Sequence, residues 1–256
     1  MTNNVFGTVD LVEIIFSLFW LFFLVLVLYL HRESKREGYP LVSDRGGSAV
    51  VRGFPDVPPV KTYTLAHGGT VTVPRPVVEE SLAAEPAASF PGAPIVPTGD
   101  PLVDGIGPAA WSDRQDTPDL TLHGKPRIVP MRTQPTFHVD DRDPDPRGMS
   151  VISADGHDVG KIADIWIDIP EPMITYVELA LDPTHGTGNV LIPFAFAQVD
   201  KANNALKVPA LMADQFARAP RLKNADTITL LEEDKVCGYF GGGALLASAE
   251  RQEPLL

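Results

Sequence analysis

Apolar positions in this chain fall into one dense block near the N-terminus, followed by short alternating runs separated by turn-forming residues. From Ile14 to Leu30 the sequence reads IIFSLFWLFFLVLVLYL, uncharged, with Ser17 its one small polar residue. With Leu11 and Val12 the run approaches the roughly 20 residues needed to cross a hydrocarbon core of about 30 Å, which predicts a transmembrane helix over residues 11–31. Beyond it, Lys61–Leu65 and Thr70–Val73 alternate as short strands do, with a turn at His67-Gly68-Gly69. The stretch FPGAPIVPTGDPLVDGIGPAAW (Phe90–Trp111) mixes turn formers with apolar anchors and is expected to lie along another surface.

From Gly148 the period becomes that of strands. Met149–Ser153 is followed by an Asp155-Gly156 turn. Val159–Asp168 then alternates, placing Val159, Ala163, Ile165 and Ile167 on one face and Asp164, Trp166 and Asp168 on the other. A proline-bounded corner (Ile169-Pro170-Glu171-Pro172) leads to Ile174–Leu181, Val190–Ile192, Ala205–Val208 after an Asn203-Asn204 turn, and Thr227–Leu231 as a further strand. Leu211–Arg218 and Glu232–Ala249 read as helices, the second interrupted at Gly241-Gly242-Gly243. The fold class is mainly β with one N-terminal transmembrane helix: a small antiparallel barrel or sandwich, a Pro/Gly-rich irregular segment and a C-terminal helix. The expected divisions are 1–10, a short N-terminus; 11–31, the span; 32–147, an extended docking segment; and 148–256, the β-rich domain.

The flanks orient the span. Residues 1–12 contain no Lys or Arg, whereas Arg32, Lys35 and Arg36 follow the run directly. The excess of basic residues marks the cytoplasmic side, so the N-terminus is expected on the periplasmic side and the bulk of the chain in the cytoplasm. A cleaved signal peptide would carry a basic start, a shorter apolar core and a small-residue cleavage site; none is present. Tyr29 is placed where amphipathic rings favour the interface, and Arg32, Lys35 and Arg36 are candidate partners for anionic lipid headgroups or topology anchors.

Composition narrows the function classes. A formal net charge of −12 argues against nucleic acid, which requires a basic surface. The single Cys237 rules out an internal disulfide framework and a cysteine-based zinc site. Asp141, Asp143 and Asp145 alternate like the start of a calcium loop, but Pro144 and Pro146 intrude and the glycine and closing glutamate are missing; they read as a solvated linker. Gly241–Gly243 lacks the Lys-Ser/Thr of a phosphate loop. His67, His138, His157 and His185 show no ligand spacing. No metal site, bound cofactor or catalytic motif is expected.

Five segments, in order, resemble one family. They are Arg36-Glu-Gly-Tyr-Pro-Leu after the span, Lys61-Thr-Tyr-Thr-Leu through Pro74, Pro97-Thr-Gly-Asp-Pro-Leu-Val-Asp-Gly-Ile-Gly-Pro-Ala, Asp164-Ile-Trp-Ile-Asp, and Glu232-Glu-Asp-Lys-Val-Cys-Gly-Tyr. The set resembles the H subunit of purple-bacterial photosynthetic reaction centres, and Gly148–Asp168 is similar to the opening of a PRC-barrel. The resemblance implies a non-pigmented subunit of an inner-membrane complex that stabilises the L and M subunits and assists proton delivery to the secondary quinone. Bacteriochlorophyll, bacteriopheophytin, quinones and non-haem iron would be held by partner subunits, with antenna polypeptides and a cytochrome subunit as further neighbours. A bitopic adaptor or assembly factor for the same complex is the alternative.

The resemblance also nominates residues. Glu171, on the corner after Asp164–Asp168, and Asp168 match acidic positions beside the proton route. His123 matches one of two surface histidines at the proton inlet; Lys125 replaces the second and Thr121 replaces a nearby aspartate, leaving Asp119 as the acidic neighbour. Thr175 stands where some members carry an arginine, so Glu171 is expected to lack a nearby cation and to protonate more easily. The chemistry is suited to these types, because burial and neighbouring charge move carboxylate and imidazole proton affinities toward neutrality.

Overall fold

The computed structural model describes residues 11–39, 41–42, 50–51, 53–66, 68–74, 81–90 and 92–252. The chain forms two compact units, one within residues 1–81 and 88–93, the other comprising 82–87 and 94–256. The expected N-terminal segment 1–10 and His67 of the expected turn lie outside the described residues.

In the first unit, α1 runs from Leu11 to Ser34 with no buried side chain. At about 1.5 Å per residue it reaches roughly 36 Å, enough to cross a bilayer core, and it is three residues longer than the expected span. Tyr29 and Arg32 are exposed on it. Two of the expected headgroup cations are used differently. Lys35 is only 2% exposed; its Nζ donates to the Pro55 carbonyl at 2.6 Å and lies over the Tyr39 ring. Arg36 pairs with Glu33 at 2.8 Å and donates to the Pro59 carbonyl at 2.6 Å. The Lys35 ammonium thus fastens the returning chain to the helix end, while Arg32 is the exposed member of the three. The short strands β1 (Leu41–Val42) and β2 (Val50–Val51) pair antiparallel. So do β3 (Lys61–Thr64) and β4 (Thr70–Val73), as the alternation predicts, closed by Leu65 N to Gly69 O at 3.1 Å. Gly68 and Gly69 there both have positive φ, open to glycine without steric cost.

The second unit begins with the hairpin β5 (Ala84–Pro86) and β6 (Ile95–Pro97). A single helical turn follows, α2 (Pro101–Asp104), capped by Asp100. Next comes a 3₁₀ turn over Gly107–Ala109. The remaining strands are β7 (Ile128–Pro130), β8 (Ser150–Ser153), β9 (Asp158–Asp168), β10 (Met173–Leu181), β11 (Asn189–Pro193), β12 (Gln198–Asp200) and β13 (Ala205–Val208), with α3 (Leu230–Leu246) after them. They make one seven-stranded sheet in the order β11-β10-β9-β8-β13-β12, with β7 added to β9. All its ladders are antiparallel except β8–β13, which is parallel, and no pairing closes the sheet among the described residues. The long β9 holds β10 along one edge; on its other edge β8 takes the first half and β7 the second.

Three expectations change here. First, the alternation of β9 does not run unbroken. Register slips against β8 between Val151 and Ile152, leaving Val159 unpaired there, and against β10 between Glu178 and Leu179, leaving Ala163 unpaired there. Such irregularities re-aim the side chains beside them. Val159 and Ile162, three residues apart, both join Trp166 in the main core, while Ile165 and Ile167 pack with Val129 and Met131 in a second cluster. Second, Thr227–Leu231 is not a strand. Thr229 Oγ1 accepts from Glu232 N and Glu232 Oε2 from Thr229 N, a capping box that starts α3 at Leu230. Third, α3 continues through Gly241–Gly243, whereas of the expected helix Leu211–Arg218 only Ala213–Arg218 is helical, as a 3₁₀ turn. The anchors expected within Phe90–Trp111 also have an address in this unit: Leu102 and Ala109 are buried in its main core, and Ile106 is buried with them at 3% exposure.

Candidate functional site

The end of β9 carries the acidic residues nominated above, and the strand pairing decides what meets them. Ile128 of β7 pairs with Asp168, so Arg127, one residue earlier, is delivered beside that carboxylate. The peptide groups secure the crossing, with Arg127 N donating to Asp119 O and Ile169 N to Arg127 O at 2.9 and 3.0 Å. Arg127 Nε then donates to Asp168 Oδ2 at 2.7 Å and Nη2 to Glu171 Oε1 at 2.8 Å. Nη1 lies 3.8 Å from Asp119 Oδ2. One guanidinium thus gathers three of the four expected proton-transfer residues.

The three carboxylates differ in access. The Asp168 side chain is 7% exposed, while Asp119 and Glu171 are 45% and 65% exposed. Asp168 is therefore the anchor; its Oδ1 also accepts from Glu171 N at 3.3 Å, fixing the turn. Glu171 keeps one oxygen on Arg127 and turns the rest of its carboxylate outward. Asp168 first, and then Glu171, hold the Arg127 proton more tightly than usual. Arginine in any case stays charged, so Arg127 positions and polarises without passing its proton on. With three carboxylates against one cation, the site retains excess negative charge and attracts protons.

Arg127 overturns one expectation. Thr175 does not leave Glu171 without a cation: the cation arrives from the β7 side, while Thr175 Oγ1 donates to Trp166 O at 3.2 Å. The reason is topological, since the partner of the corner is a strand about 40 residues earlier in the chain. The clue available in the sequence was a basic residue shortly after His123, in front of Ile128-Val129-Pro130.

His123 is placed apart. Leu120 and Pro126 bridge and Thr121 N donates to Lys125 O, so His123 and the wholly exposed Leu122 form the tip of a small loop rooted at Asp119 and Arg127. His123 makes no hydrogen bond among the described residues, and Lys125 is exposed beside it.

A second ionic group lies along the same strand. Arg132 Nη1 donates to Asp164 Oδ2 at 3.0 Å and to Glu178 Oε2 at 2.7 Å, and Nη2 donates to Asp226 Oδ1 at 3.0 Å. Glu178 also accepts from Trp166 Nε1 at 3.0 Å and from Asn189 Nδ2. Asp164 and Glu178 face each other across the ladder, so this group ties β9, β10 and β11 together. A cavity of about 470 Å³ beside it is lined by Trp166, Glu178, Asn189, Leu191, Arg221 and Lys223, among others; none of the expected proton-transfer residues lines it. Of the aspartates read as a linker, Asp145 turns to a neighbouring arginine, Arg147, at 2.5 Å, and no cluster of metal-ligating side chains occurs among the described residues.

Two known families match. One, described as photosynthetic reaction centre, H-chain N-terminal region, covers residues 3–133; the other, the PRC-barrel domain, covers residues 138–215. Asp119, His123 and Arg127 fall in the first and Asp168 and Glu171 in the second, so the ionic cluster is assembled across the two.

Proposed function

The chain belongs to the photosynthetic reaction centre H-chain family, and from that membership we propose that it stabilises the L and M subunits and conducts protons toward a secondary quinone through the Arg127 cluster. Membership makes it a subunit of a photosynthetic reaction centre, of a non-catalytic family, and α1 anchors it in the membrane. The observation that carries the proton role is the gathering of Asp119, Asp168 and Glu171 on one guanidinium.

Protons cross a protein surface through groups spaced within hydrogen-bonding reach, none of which binds the proton too tightly. Glu171 is the group here with the freest carboxylate. It receives protons from water and passes them on, while Asp168 and Arg127 hold its turn in place. His123, at the tip of the loop rooted in the same cluster, acts as the outer acceptor. The N-terminus is periplasmic and the β-rich unit cytoplasmic, from the basic flank Arg32, Lys35 and Arg36. Bacteriochlorophyll, bacteriopheophytin, quinones and iron belong to the partner subunits. Antenna polypeptides and a cytochrome subunit are further neighbours of the complex.

The test is quinol formation in the assembled complex after two flashes. Glu171→Gln is expected to slow the second, proton-coupled electron transfer by on the order of tenfold or more, as loss of a proton-transfer group does; His123→Ala should slow it less. Normal second-flash kinetics in both variants and in Asp168→Asn would remove the proton role while leaving the scaffold role standing. Purification in mild detergent separates subunit from assembly factor: a subunit is recovered in equal proportion with the pigmented chains, and a sub-stoichiometric yield favours the adaptor reading.

A further inference from the structure

The cavity of about 470 Å³ beside β10 and β11 is lined by two cations, Arg221 and Lys223, which differ in what they meet. Lys223 Nζ donates to the Asp116 carboxylate. Arg221 has no carboxylate partner among the described residues: its Nη1 donates to Asn189 O at 2.6 Å and its Nη2 to Ala217 O at 3.2 Å. Those carbonyls pin the guanidinium between the start of β11 and the 3₁₀ turn Ala213–Arg218, and they carry no net charge to balance it. Of the five N–H donors of a guanidinium, the Nε–H and one hydrogen on each Nη stay unused. The wall beside them is open, since a Cβ on Gly188 would meet nothing nearer than Arg221 Nη1, at 3.9 Å. The one acid in the lining, Glu178, is engaged by Arg132 and Trp166 through Oε2 and by Asn189 through Oε1. We propose that this cavity binds a small organic carboxylate, its charged end held by Arg221 and its apolar body against Leu191 and Leu222.

The lining selects the class of ligand. Adjacent free N–H groups of a guanidinium match the two oxygens of a carboxylate in a charge-assisted, geometrically specific pair. A phosphate monoester offers similar oxygens but carries about −1.5 to −2 charge near pH 7, whereas Arg221 supplies a single uncompensated positive charge. The rest of the wall asks for no further polar partner. Leu191 is buried and Leu222 half-buried, and the Trp166 Nε1–H is taken up by Glu178 at 3.0 Å. A body that makes no hydrogen bonds therefore suits it, and the volume lies within the about 300–1,000 Å³ common for small-molecule sites. Burial lowers the proton affinity of Arg221 and no carboxylate opposes it, so an arriving anion offsets a cost that the chain itself leaves standing.

The site is independent of the proposed relay, because none of Asp119, His123, Asp168 and Glu171 lines it. Benzoate is the probe, titrated calorimetrically into the detergent-solubilised full chain with the heats into detergent alone subtracted. Benzamide serves as its neutral match and phenyl phosphate as its more highly charged one. Benzoate is expected to bind with a Kd of about 1 mM. Benzamide and phenyl phosphate should bind about tenfold more weakly, for want of a matched charge-assisted pair. Arg221→Gln should weaken benzoate by about tenfold and leave benzamide where it was; a purely structural Arg221 would move both ligands together or neither. Benzoate bound no better than benzamide by the wild-type chain overturns the inference without any variant, so it stands exposed to test even if Arg221→Gln does not fold. Undiminished benzoate affinity in a folded Arg221→Gln overturns it too. Phenyl phosphate binding more tightly than benzoate would overturn the assignment to carboxylates.

Discussion

Replacing Arg132 with methionine is expected to destabilise the β-rich unit by about 3 kcal/mol. The substitution leaves Asp164 and Glu178, whose side chains are 7% and 9% exposed, directly opposite each other with no cation between them. Removing one member of a buried ionic group costs about 3–5 kcal/mol, because the remaining charge is stranded away from water. The lower end applies because Arg132 is itself 39% exposed and solvent offsets part of the loss. Burial works against the Arg132 charge, and the bonds to Glu178, Asp164 and Asp226 more than compensate. At about 2–4 °C per kcal/mol for a unit of this size, the melting temperature of the detergent-solubilised chain should fall by roughly 10 °C. Near-ultraviolet dichroism reports it, because Trp166, wholly buried, donates to Glu178. A double-mutant cycle with Glu178→Gln should show coupling; melting temperatures that simply add would mean the three groups act independently.

Opposite effects are expected from two adjacent glycines in α3. A Cβ on Gly242 would lie 2.5 Å from Ala109 Cβ and 2.7 Å from its Cα, against the 3₁₀ turn Gly107–Ala109. Overfilling such a contact costs about 1–3 kcal/mol, so Gly242→Ala should lower the denaturant midpoint. At Gly241 the same methyl meets only Phe196 Cζ, at 3.6 Å. Alanine is favoured over glycine inside a helix by about 1 kcal/mol, so Gly241→Ala should be neutral or stabilising. Equal midpoints for the two variants would show that the turn moves aside readily.

This pair also explains why the triple glycine misleads when only the sequence is read. Three successive glycines weaken a helix by propensity, and so an interruption is expected. In the fold they permit close approach: Gly238 and Gly242 press on Ala109 and Ala110, and Gly243 on Ala210 and Leu211. Tertiary packing outweighs the local cost. Thr227–Leu231 shows the converse, a β-like composition overridden by a local signal, the Thr229–Glu232 capping box, that was present in the sequence.

Most of the site was legible, and its missing member was not. Asp168, Glu171 and Asp119 were nominated by resemblance, but the cation was sought three residues beyond the corner, at position 175. It is Arg127, across a strand pairing.

The sequence by itself determined the membrane helix, the succession of strands from Ser150 to Val208 and the acidic corner at Asp168–Glu171, because these follow from apolar run length, two-residue alternation and turn chemistry between near neighbours. Only the tertiary structure decided which face each half of β9 presents, which arginine serves which carboxylates, and that Lys35 reaches the Pro55 carbonyl. Those outcomes depend on a one-residue bulge and on pairings between segments some 40 residues apart, and no local periodicity encodes the sum of such contacts.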